Sequence, residues 1–209
     1  MKVRPISFSG PMMGALLDDR KTQTRRLATS PLAKCVPGDL LWVREAWRVG
    51  RRWDTEPPRA LRPRAMTVMY EAGGSAGGID MPPAGRDRTP EEYALDWRWP
   101  LPGETVGFAG RYRPPMFMPR WASRLTLVVT DKRIQRLQEI GESDAVAEGA
   151  KTAPGGWWSH AEGIAATTAR ASFALLWNGL HGAGAWDANP WLVALTFEVR
   201  RSNIDMFEP

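Results

Sequence analysis

Lysine, hydroxyl and guanidinium side chains crowd one short stretch, Asp18 to Arg26, which reads D-D-R-K-T-Q-T-R-R. A lysine drawn out of water loses proton affinity and can then act as a base toward a nearby hydroxyl. Lys21 with Thr22 or Thr24 offers that pairing. A carboxylate from elsewhere would have to carry the proton on to a leaving group. Lys-x-x-Thr is a common spacing, so the stretch by itself specifies no reaction.

The rest of the chain offers few standard alternatives. It has no G-x-x-x-x-G-K-[ST], no G-x-S-x-G and no H-E-x-x-H. Gly73, Gly74, Gly77 and Gly78 lack a following Lys-Ser and read as a loop. The single cysteine, Cys35, rules out an internal disulfide, and His160 and His181 are the only histidines, so no metal site and no cofactor are expected.

The formal charge of +5 points toward an anionic partner, RNA or single-stranded DNA among them. Only five of the 28 basic residues are lysines, and an arginine-rich composition of this kind also follows from a GC-rich genome. Eleven tryptophans, several beside arginines as in "WVREAWR" and "PRWASR", suit base stacking or, more plainly, core packing.

The elements that must position this chemistry can be read from pattern. Arg4 to Phe8 predicts a strand, and Ser9 and Pro11 open a helix with Met12, Met13, Leu16 and Leu17 on its buried face. "KTQTR" predicts a second strand, and "LLWVREAW", after the Pro37-Gly38-Asp39 turn, a third that is buried on both sides for much of its length. Met66 to Glu71 reads as another. The remainder of 50–114, rich in Arg, Pro and Gly, is expected to be an irregular insertion.

Order returns with a half-buried strand around Leu125 to Thr130. A short helix, "ESDAVAEG", follows and is stopped by Gly149. A helix over Ala169 to Leu180 buries Phe173, Leu176, Trp177 and Leu180. In the final strand Trp191, Val193, Leu195, Phe197 and Val199 point one way. The expectation is one α+β domain over 1–209, a small, partly closed β-barrel with short flanking helices. No apolar run is long enough to span a bilayer and no signal-peptide core is seen, so a cytoplasmic location without a membrane partner is expected.

Taken together, "D-R-K-T-x-T-R-R", "P-G-D-x-L-x-V-R-E-x-W", "MPRWASRLTLVVTDKRIQRLQEI", "DAVAEG" and "WDANPWLVALTFEV" resemble the ASCH family, whose domains have a PUA-like fold. The resemblance covers both ends of the chain and is nearest to long ASCH-like proteins of phages and prophages. Small bacterial relatives are N4-acetylcytidine amidohydrolases that use a lysine, a threonine and a glutamate without a metal. Their lysine and threonine match Lys21 and Thr24, and the glutamate-bearing helix matches "GESDAVAEG", which selects Glu148 ahead of Glu142 and Asp144. The position that usually carries glycine there is Asp19 here.

The resemblance implies that Lys21 takes a proton from Thr24, Thr24 attacks the acyl carbon, and Glu148 protonates the departing cytosine amine. Arg20, Arg25, Arg26, Trp42, Arg44, Glu45 and Trp121 are the candidate substrate-binding residues, with Arg25 or Arg26 placed to support an oxyanion. In one regular strand Lys21 and Thr24 would face opposite sides. They converge if Lys21 belongs to the turn and the strand starts at or after Thr22. The implied partner is an N4-acylated cytidine. A non-catalytic RNA, DNA or modified-base binder is the alternative, and a ribonuclease a weaker one.

Overall fold

The computed structural model describes residues 1–61, 67–76, 95–96, 102, 107, 109–153, 157–161 and 164–206. It is an α+β protein. In chain order its strands are β1 (Val3–Ser7), β2 (Gln23–Leu27), β3 (Leu40–Arg44), β4 (Trp47–Val49), β5 (Val68–Tyr70), β6 (Ser75–Ala76), β7 (Leu95–Asp96), β8 (Thr126–Arg136), β9 (Lys151–Ala153), β10 (Trp157–Ala161), β11 (Ile164–Ala166) and β12 (Trp191–Arg200). The helices are α1 (Gly10–Leu17), α2 (Glu142–Ala147) and α3 (Ala169–His181).

Three sheets run in the orders β1-β3-β8-β12-β2, β11-β10-β9 and β4-β5-β6-β7, and among the described residues none closes on itself as a barrel. No helix among them is long and apolar enough to cross a membrane. The chain divides into two compact units. The first is Met1–Arg4, Pro11–Leu40 and Leu127–Val199; the second is Pro5–Gly10, Leu41–Thr126 and Arg200–Pro209.

In the first unit β12 pairs antiparallel with β2, Leu195 opposite Thr24 and Ala194 opposite Arg25. Leu192 to Leu195 are all buried, so this half of β12 is covered on both faces rather than on one. The reason is its place inside the sheet, between β8 and β2. Trp191, expected on the buried face, is instead 50% exposed and lies under the Arg136 guanidinium.

Helix α3 is capped at its start by the Thr168 hydroxyl and buries Phe173, Leu176 and Trp177. Leu180, expected beside them, falls in the last turn and is exposed. Between α2 and α3 the sheet β9-β10-β11 adds three short strands that are not among the expected elements.

In the second unit, Trp47, Val49, Leu61, Val68, Tyr70, Met118 and Ala122 form a core. The strand expected over Met66 to Glu71 is present as β5, buried and paired with β4, and the stretch expected to be irregular adds the two short strands β6 and β7 beside it.

Candidate functional site

The reactive stretch begins as a turn. Asp19 has φ 57, the left-handed region where Asp is among the few side chains tolerated, so it meets the conformational need that glycine would meet there. Backbone bonds from Arg20 and Lys21 to the Ala15 carbonyl then fold the chain against the end of α1. Lys21 forms an isolated antiparallel bridge with Glu148, and β2 proper starts at Gln23. Lys21 therefore precedes the strand, as convergence with Thr24 requires.

Glu148 arrives from the other direction as the C-cap of α2. Gly149 follows with φ +108, and a Cβ built there would lie 2.8 Å from the Ala15 Cβ and 3.3 Å from the Lys21 Cβ. Both the positive φ and the close approach demand glycine. Gly149→Ala should destabilise the fold by about 1–3 kcal/mol and push Lys21 away from Glu148. A lowered melting temperature checks the first part, and an unchanged one would show that the turn relaxes.

Lys21 and Glu148 are brought into contact, and they and Thr24 are all buried: Lys21 is 1% exposed, Thr24 0% and Glu148 3%. Lys21 Nζ donates to Glu148 Oε2 at 2.6 Å and to the Glu148 carbonyl at 2.9 Å. Arg25 Nη1 donates to the other carboxylate oxygen of Glu148 at 3.0 Å, and its Nη2 to Asp144 Oδ2 at 2.8 Å. Gln23 donates to Asp144 Oδ1 and accepts from Arg25, and Arg133 completes the grip on Asp144.

Thr24 lies on the strand face opposite Gln23 and Arg25, and its neighbour on that face holds it: Arg26 Nη1 donates to Thr24 Oγ1 at 2.7 Å. With that lone pair occupied, the threonine O–H is left to donate elsewhere, the orientation a nucleophile needs. Arg20 pairs with Asp18 and donates to the Gly149 carbonyl, so it braces the turn.

Burial is the largest influence on Lys21 and lowers its pKa below the ordinary lysine value. The contact with Glu148 pushes the other way, while the charges of Arg26 and Arg25 add to the lowering. Burial also lowers Arg26, opposed by Glu148. For Asp144, burial pushes upward but is outweighed by the hydrogen bonds from Arg133 and Gln23 and the charge of Arg25, and the carboxyl ends below its usual range. Arg25 Nε is buried without a hydrogen-bond partner, a donor held out of water and unspent.

His160, which the sequence marked only as unsuited to zinc, is buried behind α2. Its Nε2 lies 2.8 Å from the Ala145 carbonyl and its Nδ1 2.8 Å from Ser172 Oγ. A carbonyl can only accept, so Nε2 carries the proton and Nδ1 accepts from Ser172. His160 thus ties α2 to α3. Burial first, then the charges of Lys21 and Arg20, hold its pKa down.

Four of the sequence-selected binding residues lie in the second unit. Glu45 is bound by Arg124 through two contacts of 2.8 Å, with both side chains buried. Trp121 donates to the Leu61 carbonyl and packs against the core. Trp42 carries the Arg44 guanidinium 5.5 Å from its ring centre. Among the described residues no group of His, Cys, Asp and Glu side chains has the arrangement of a metal site. The chain matches no protein-family model, no characterised protein and no solved structure.

Proposed function

We propose that this chain is an ASCH-type protein with a PUA-like fold that hydrolyses the amide of N4-acylated cytidine or cytosine. What supports this is one contact above all: Lys21, buried and biased toward its neutral form, hydrogen-bonded at 2.6 Å to Glu148. Base and acid in direct contact make a proton relay.

Lys21 Nζ takes the Thr24 hydroxyl proton as Oγ1 bonds to the acyl carbon. The proton crosses to Glu148 and then to N4 as the C–N bond breaks, which releases cytidine and leaves an acyl ester on Thr24. Water, deprotonated by Lys21, cleaves that ester and restores the threonine. The Arg26 guanidinium, which holds Thr24 in orientation, is the donor for the oxyanion. Exclusion of water strengthens each of these interactions.

The covalent step gives a specific test. Protein mixed with N4-acetylcytidine and acid-quenched within the first turnover should carry an acetyl group on the peptide containing Thr24, absent from Thr24→Ala. Cytidine release with no acetylated peptide, or undiminished in Thr24→Ala, would remove Thr24 from the reaction.

A further inference from the structure

The end of α2 is an array of acceptors. From Asp144 to Gly149 six consecutive carbonyls each receive a donor, and the donors come from three places. Within the helix and its cap, the Glu148 N–H bonds to the Asp144 carbonyl at 3.0 Å and the Gly149 N–H to that of Val146 at 2.9 Å. The reactive turn supplies three more: the Thr22 N–H to Ala147 at 2.9 Å, Lys21 Nζ to Glu148 at 2.9 Å and Arg20 Nη1 to Gly149. The Ala145 carbonyl is served by neither. In a regular helix it would accept from the N–H four residues on, which is that of Gly149. That N–H goes to Val146 as the last turn tightens. His160 takes its place, with Nε2 2.8 Å from the Ala145 oxygen.

His160 is itself held. Ser172 Oγ lies 2.8 Å from its Nδ1, and Phe173 meets the ring edge-on with centroids 5.6 Å apart. Carbonyl, hydroxyl and ring together fix both the tautomer and the plane of the imidazole. The hold on α2 extends to its first residue, where the Glu142 carboxylate accepts from the Ala169 N–H at 2.9 Å, at the start of α3. Helix α2 has only six residues, too few to keep its last turn formed by its own bonds. Its two ends are set from β10 and α3, and the end that His160 sets is the one that carries Glu148.

We propose that His160 is a positioning residue, a role that rests on the hydrolase reading: through the Ala145 carbonyl it holds the last turn of α2 so that the Glu148 carboxylate stays on Lys21 Nζ. It touches none of the reacting atoms. Ala145 is 0% exposed, so without His160 its carbonyl is buried with no donor and the turn must shift to find one. A shift passed on to Glu148, three residues away, opens the 2.6 Å contact on which the relay depends. Two amides separate the bonds. Glutamine carries a donor and an acceptor about as far apart as the two ring nitrogens and can serve both Ala145 and Ser172, as neutral histidine does. Asparagine, one methylene shorter, reaches Ser172 and not Ala145.

Steady-state kinetics with N4-acetylcytidine should show His160→Asn lowering kcat about 100-fold with KM little changed, and His160→Gln keeping most of the wild-type rate. A second readout needs no turnover. Lys21 Cε, followed by ¹³C NMR across pH and assigned with Lys21→Met, should titrate at a different midpoint in His160→Asn and at the wild-type midpoint in His160→Gln, because Glu148 is the partner that raises it. Both readouts are taken well below each variant's melting temperature. His160→Phe, which fills the space and serves neither partner, replaces the asparagine variant if that one melts too low. Wild-type kcat without the Ala145 bond, a loss that glutamine shares, or an unmoved Lys21 midpoint would each overturn the inference. A wild-type protein that releases no cytidine would remove the hydrolase reading, and the Lys21 midpoint would still decide whether His160 holds Glu148 in place.

Discussion

Lys21→Met is expected to lower the rate of N4-acetylcytidine hydrolysis by on the order of 10³-fold or more while leaving the protein folded. The magnitude on activity follows from removing the only base in the proposed relay. The modest effect on stability follows from what remains. Breaking a buried ion pair commonly costs about 3–5 kcal/mol because one charge is left uncompensated. Here Glu148 keeps Arg25 at 3.0 Å, so its carboxylate is not stranded. The loss should be nearer that of one charged hydrogen bond, about 1.5–3 kcal/mol.

Methionine also fills the volume of the lysine stem. The wild-type rate should rise with pH as Lys21 loses its proton and level off above its lowered pKa, because only the neutral amine can accept from Thr24. The stability effect has the matching sign. A lysine whose folded pKa lies below its unfolded value weakens the fold at low pH. That penalty fades as pH rises toward the unfolded value. Steady-state rates across pH and a melting curve of the variant check both parts. A methionine variant with wild-type turnover would show that the lysine is structural.

Glu45→Ala should have the larger effect on stability, about 3–5 kcal/mol. Arg124 is 1% exposed and holds both Glu45 oxygens, and its guanidinium lies 4.0 Å over the Tyr70 ring. Removal of the carboxylate leaves a buried cation without this counter-ion. Replacement of both partners, Glu45→Leu with Arg124→Met, should recover most of the loss, since no charge is then stranded. Urea denaturation of the single and double variants measures this. A Glu45→Ala protein of wild-type stability would mean that the pair is dispensable and Glu45 free for a ligand.

Much of this arrangement can be read from local pattern, and the part that cannot depends on long-range pairing. Gly149 as the stop of α2 was legible, and so was the reason Lys21 had to precede its strand. The partnership of Arg25 with Asp144 was not, because the two stand 119 residues apart. Strand alternation did carry a hint: Lys21, Gln23 and Arg25 share one parity, and all three meet α2.

Glu45 carried a clearer hint. Leu41, Val43, Glu45 and Trp47 alternate, and all are buried, so a carboxylate in that row had to find a cation inside. Trp191 was misread because a strand inside a sheet buries both faces and ends its burial where its neighbours end. The sheet β9-β10-β11, and with it His160, lay in a run too rich in glycine and alanine to signal strand.

The most direct test of the central claim is chromatographic: wild-type protein with N4-acetylcytidine in the presence of a chelator, followed to cytidine and acetate. Equal amounts of both products, formed catalytically, are the predicted result. Unchanged substrate under conditions where the protein is folded would contradict the claim and leave Lys21 and Glu148 as a buried structural pair.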